Sequence, residues 1–113
     1  MNVKKIVVEM KRWSFERDRS NLSFVASQRV AELMNQFIDR SDDILLMETI
    51  VILLRNFNQL NLELDLWKAQ NIYFSMGKKL YAGKQRNSLS DHLAQRWILT
   101  FDSLGQILQV KVV

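Results

Sequence analysis

The chain contains no proline and no cysteine, and only three of its 113 residues are glycine. Proline breaks a helix interior and glycine weakens one, so a chain nearly free of both can run in long helices. A sheet protein of this length needs many tight turns, which glycine, proline, asparagine and aspartate usually supply. The missing thiols exclude a disulfide framework, a thiolate nucleophile and a cysteine-ligated metal site, and they suit a cytoplasmic location. Histidine occurs once, at His92, and no metal-binding spacing such as HExxH exists. Long apolar runs are also missing. The best, residues 44–54, is interrupted by Glu48 and Thr49 and is too short to cross a bilayer. No signal peptide is expected, because Lys4 and Lys5 lead into a charged amphipathic stretch.

What is present reads as one folded domain over residues 1–113. Apolar residues make up 48% and charged residues 25%, which argues against disorder. Residues 3–15 place Val3, Ile6, Val7, Met10 and Trp13 at helical spacing, with Lys4, Lys5, Glu9, Lys11 and Arg12 on the other face. After a polar break at residues 17–21, with Ser20 or Asn21 as cap, a helix is predicted over residues 21–40. It carries Leu22, Val25, Ala26, Val30, Leu33, Met34 and Phe37 on its buried side.

Ser41 is the expected cap of the next helix, with Asp42 and Asp43 at its positive end. Residues 44–57 are apolar on most sides, so that helix should be buried among others or covered by a partner. Ile50, Val51 and Ile52 favour a strand, but the length of the pattern favours helix.

Asp65 is placed to cap a helix over residues 66–81, which has two apolar rows. One holds Leu66, Ala69, Tyr73, Met76 or Gly77, and Leu80. The other holds Trp67, Asn71, Phe74 and Tyr81. Two rows needing cover suggest a central helix or an external partner. Residues 82–88, with Gly83, read as a loop. Ser90 is the expected cap of a last helix carrying Leu93, Ala94, Trp97, Ile98, Phe101 and Leu104, and Gly105 its left-handed end. The tail, residues 107–113, has β character. The architecture predicted is all-α: a four- to five-helix bundle-like domain with a short extended C-terminal tail.

No catalytic residue, cofactor site or metal site emerges. His92 lies beside Asp91, but adjacent helix residues point in different directions. Gly77-Lys78 and Gly83-Lys84 lack the other residues of a phosphate loop. The carboxylate pairs Asp42 with Asp43, and Glu63 with Asp65, fall at helix starts, where dipole and capping roles explain them. An enzyme using acid–base chemistry would need two carboxylates in one cleft with separated pKa values. Lys78, Lys79, Lys84 and Arg86 span a stretch without acids. With the modest net charge of +4, they form a possible anion contact and motivate a nucleic-acid alternative. The richest stretch surrounds Trp67, Gln70, Asn71 and Phe74. Aromatic faces beside amides suit sugars or flat ligands, but packing with a few satisfied amides is the commoner reason for them, since aromatics dominate cores.

The strings LDLWKAQNIYFSMGKKLY (residues 64–81), FDSLGQILQVKV (residues 101–112) and FVASQRVAELM (residues 24–34) carry a resemblance. They are similar to the helical C-terminal region of uncharacterised bacterial and archaeal proteins that join this region to a family 57 glycoside hydrolase domain. The resemblance implies a non-catalytic accessory or interaction domain of a larger carbohydrate-active protein, either excised or standing alone. In that family the catalytic carboxylates belong to a barrel domain that 113 residues do not hold. No catalytic residue carries over. The implied partner is a protein, as another domain or subunit, with carbohydrate reached through the parent enzyme and no membrane involved.

Overall fold

In the computed structural model, which describes residues 19–109, four helices follow one another. They are α1 (Arg19–Asp39), α2 (Ile44–Gln59), α3 (Trp67–Asn87) and α4 (His92–Leu108). No strand occurs among the described residues. The helix expected over residues 3–15 and the last four residues of the tail lie outside them.

Aspartates cap α2 and α4. Asp43 accepts a hydrogen bond from the Leu46 N–H at 3.0 Å, satisfying a donor that the first turn leaves unpaired. Asp91 does the same for Leu93. In contrast, α3 has Leu66 as its cap residue without a side-chain cap bond, and Asp65, one position earlier, accepts from the Trp67 N–H at 3.2 Å. The caps expected at Ser41 and Ser90 therefore move to the aspartates that follow, which sit directly before the helical rows. Ser20 and Asn21 lie inside α1 and do not precede it.

Two further expectations are corrected. The loop placed over residues 82–88 is helical as far as Asn87. One glycine costs a helix only about 1 kcal/mol. Contacts on both sides of Gly83 hold this turn: Tyr81 reaches Asp102, and Lys84 pairs with Asp42 and lies over the Trp97 ring. Gly105 is buried within α4, and the left-handed residue is Gln109, with φ 61°. Fully buried Leu108 draws the helix past the glycine, so Ile107 and Leu108 belong to α4 and not to an extended tail.

The order of the helices around the bundle follows from which of them approach. α1 lies against α2 and α3, and α4 lies against α2 and α3. The diagonal pairs, α1 with α4 and α2 with α3, make no close backbone approach. Residues 40–43 and 88–91 thus join neighbours, and residues 60–66 cross a diagonal. The Asp65 N–H donates to Ser27 Oγ at 2.9 Å and ties this crossing to α1. Gln70 reaches the end of α4, and Trp97 Nε1 donates to the Ser41 carbonyl at 2.7 Å. So α1 and α3 start at one end, termed the lower end, where α2 and α4 finish.

The core between the helices is apolar. Phe37, Phe57, Trp97 and Phe101 are its largest fully buried side chains. Each contributes roughly 1.5–3 kcal/mol through the apolar surface removed from water. Ile50 and Val51 are buried in helical, not strand, conformation. Leu45 and Ile52 on α2 remain exposed, so this helix is less enclosed than its composition suggests. No helix among the described residues is long and apolar enough to cross a membrane.

Candidate functional site

Helical residues turn by about 100° per position, so neighbours in sequence along α3 face different surroundings. Ala69, Tyr73 and Met76 form the buried row, with Leu66 and Leu80 half-buried at its ends. Tyr73 stacks on Phe101 with ring centroids 4.2 Å apart. Trp97 stacks on Phe101 at 4.7 Å, and Phe37 and Tyr81 meet the same ring at a tilt. Phe101 is therefore the hub where α1, α3 and α4 meet. The Tyr73 hydroxyl donates to the Phe101 carbonyl at 3.0 Å, so the buried phenol is satisfied.

Two tyrosines resist ionisation here. Burial pushes the Tyr73 hydroxyl well above its ordinary value, with smaller contributions from Asp102 and Tyr81. Tyr81 is raised by burial, by its hydrogen bond to Asp102 and by the charge of that carboxylate. Both act as structural donors.

The second row of α3 faces outward. Trp67 is 73% exposed and Phe74 41%, and Asn71 between them is exposed. Asn71 Nδ2 donates to the Trp67 carbonyl at 2.9 Å, a bond within the helix. Lys78 Nζ stands 4.8 Å from the centre of the Phe74 ring and continues the row. Gln70 does not share this surface. It is half-buried and its Nε2 donates to the Leu108 carbonyl at 2.8 Å. Of the four residues predicted as a partner or ligand surface, the structure thus gathers Trp67, Asn71 and Phe74. Tyr81, assigned to the same row, turns toward α4.

Lys78, Lys79, Lys84 and Arg86 do not form one patch. Lys84 is turned into the bundle end, paired with Asp42 and 5.4 Å from the Trp97 ring. Lys78 lies on Phe74. Lys79 and Arg86 are exposed, seven residues apart on one side of α3.

Several of the acids have structural roles, while Glu63 and Asp65 line the groove between α1 and the start of α3. Asp43 caps α2 and pairs with Arg40, and the Leu46 N–H is the main reason its carboxyl lies below the ordinary 3.8. Glu48 pairs with Arg96, and Asp102 accepts from Tyr81. His92 is exposed at the first position of α4. Among the described residues no group of three or more histidine, aspartate or glutamate side chains could hold a metal ion.

Beside Trp67 an open groove of about 670 Å³ runs between α1 and the start of α3. Phe24, 61% exposed, stands on its α1 side. Phe24 falls off the buried rhythm that Leu22, Ala26 and Val30 set on its helix, and so is not among the residues predicted as a surface. An off-phase aromatic was the available signal.

No family model, curated protein or solved structure matches the chain.

Proposed function

We propose that this chain is a non-catalytic helical accessory domain, cytoplasmic and without a cofactor, that docks a protein partner on the outer row of α3. The observation that carries the reading is the uncovered row itself. Trp67 and Phe74 are held outward by a helix whose opposite row is locked to α4, so neither can turn inward without unpacking Tyr73. A large aromatic beside a second one, with an amide between and a cation at the end, has the composition of an interface centre. Asp43 and Asp91 serve as caps and Glu32, Asp42 and Glu48 as ion-pair partners, which supports the non-catalytic half of the reading.

The resemblance of residues 64–81 and 101–112 to the region that follows a family 57 glycoside hydrolase domain supports one choice of partner: the barrel domain of such an enzyme. Carbohydrate would then be handled by the barrel, and this domain would seat on it. The test is direct. A family 57 barrel domain encoded in the same or the adjoining reading frame is titrated with the chain by calorimetry. Binding is expected, and Phe74→Ser should weaken it by about tenfold or more, equivalent to roughly 1.4 kcal/mol. Failure of the barrel domain to bind the folded chain overturns the reading.

A further inference from the structure

The helix α2 carries apolar side chains on most of its sides, and part of that surface stays outside the bundle. Leu45 is 69% exposed and Ile52 47%. Beside Ile52 a shallow valley of about 280 Å³ runs between α2 and α4, with Leu99, 69% exposed, on its α4 side. The helix α3 lies diagonally across the bundle from α2, so this face is separate from the row of Trp67 and Phe74.

The outward residues of α2 have a regular order. Leu45, Glu48, Ile52, Arg55 and Gln59 follow one another at steps of three, four, three and four. All are exposed except half-buried Glu48. That spacing is the seam along which two helices lie side by side. The order is also its own complement. Ile52 is central, Leu45 and Gln59 lie seven positions to either side, and one acid and one base stand between. An antiparallel second copy, with Ile52 on Ile52, brings Glu48 beside the other copy's Arg55 and Arg55 beside its Glu48. A two-fold axis supplies both contacts from a single surface. A parallel copy would set Glu48 on Glu48 and Arg55 on Arg55. The charges can serve these contacts. None of the ion pairs among the described residues uses Arg55. Glu48 meets Arg96 through Oε1, and a carboxylate accepts at both of its oxygens.

We propose that the chain pairs with a second copy of itself through α2, antiparallel about a two-fold axis at Ile52. The two Ile52 side chains meet at the centre, Leu99 adds apolar surface at the margin, and two Glu48–Arg55 pairs flank them. The seam from Leu45 to Gln59 spans about 21 Å at 1.5 Å per residue, so the pairing is weak and depends on concentration. It rests on α2 and leaves Trp67 and Phe74 uncovered for the docking reading.

Sedimentation of the full chain over a concentration series tests the pairing. The mass should rise from 13.4 kDa toward twice that value. Arg55→Glu sets acid against acid at both contacts, and Glu48→Arg sets base against base. Each should raise the dissociation constant by about tenfold or more. The decisive arm mixes the two variants in equal amounts. The mixture places an acid opposite a base at both contacts again, and pairing should return. Thermal unfolding shows whether each variant is folded. Should Glu48→Arg fail to fold through the loss of its Arg96 contact, Ile52→Asp at the exposed centre of the seam takes its place and should abolish the pairing. A mass that stays at that of one chain up to about 1 mM overturns the proposal. So does a pairing that survives Arg55→Glu or Ile52→Asp, which puts the contact on another face, and so does a mixture of the two folded charge variants that stays apart.

Discussion

The two rows of α3 are built from similar residues and meet opposite fates. Tyr73 and Phe74 are adjacent, yet one is 3% exposed and the other 41%. Hydrophobicity does not decide between them, since the buried residue is the one with a hydroxyl. Rotation by 100° decides, together with a carbonyl at Phe101 placed to accept that hydroxyl. The inner row thus stores its polar atoms in bonds between helices, through Tyr73 and, at its margin, Gln70 and Tyr81. The outer row keeps Asn71 in a bond within its own helix and leaves its rings to water. What a residue type says about burial is weak. An apolar aromatic left outside a well-packed bundle says more.

The strongest attempt to break this contrast removes the hub of the inner row. Phe101→Ala deletes the ring that Tyr73, Trp97, Phe37 and Tyr81 all contact, and should cost about 3–5 kcal/mol in denaturant unfolding. A loss below about 1 kcal/mol would mean that the inner row is not the locked one.

Tyr73→Phe tests the hydroxyl alone. At neutral pH it should cost about 1 kcal/mol, the usual worth of one such hydrogen bond. Its pH dependence has a definite sign. Folding favours the neutral phenol, so the unfolded chain releases its proton first as pH rises through the ordinary value of 10.0. Stability is therefore full below that pH and falls above it. The variant should lose part of this alkaline decline, with Tyr81 supplying the remainder through the same cause. Unfolding midpoints measured from pH 7 to pH 11 check it, and identical slopes for both proteins would refute it.

The helical architecture was legible because spacing and the absence of proline act locally. The buried row of α3 was legible for the same reason, and so was the presence of a second row. The caps were harder. In the stretches at Ser41 to Asp43 and Ser90 to Asp91, serine and aspartate are both good cap residues, and the choice depends on which one precedes the packed row in three dimensions. Gly83 and Gly105 read as ends because glycine weakens helices, while tertiary contacts made by Tyr81, Lys84 and Leu108 carry the helix through them. Gln70 is grouped with the ligand surface, and Tyr81 with the second row, because pattern alone cannot see α4. Asp102 was not singled out, since its partner is 21 positions away in the chain.

Gly83 also offers a smaller probe of the same helix. A Cβ built there meets nothing within 4 Å, so Gly83→Ala gains helix propensity without strain. It should raise stability by about 0.5–1 kcal/mol. It lies on neither row of the comparison, and a destabilising result would show that α3 is bent or crowded at a point where it is open and regular.

The least effect is expected from Asn71→Ala, and that is its use. The Asn71 side chain is exposed and spends its amide on a carbonyl of its own helix, which competes with the helical pattern more than it supports it. Alanine is the better helix former at such a position, so stability should change by less than about 0.5 kcal/mol, in either direction. Thermal unfolding settles the fold side. Binding to the partner domain settles the other, because an amide between two exposed rings is placed to meet a partner's polar groups. A variant that folds as before and binds less tightly separates the two rows into one for the fold and one for recognition. A loss of more than about 1 kcal/mol in the free chain would mean instead that the outer row is covered by protein already, and the contrast between the rows would no longer hold.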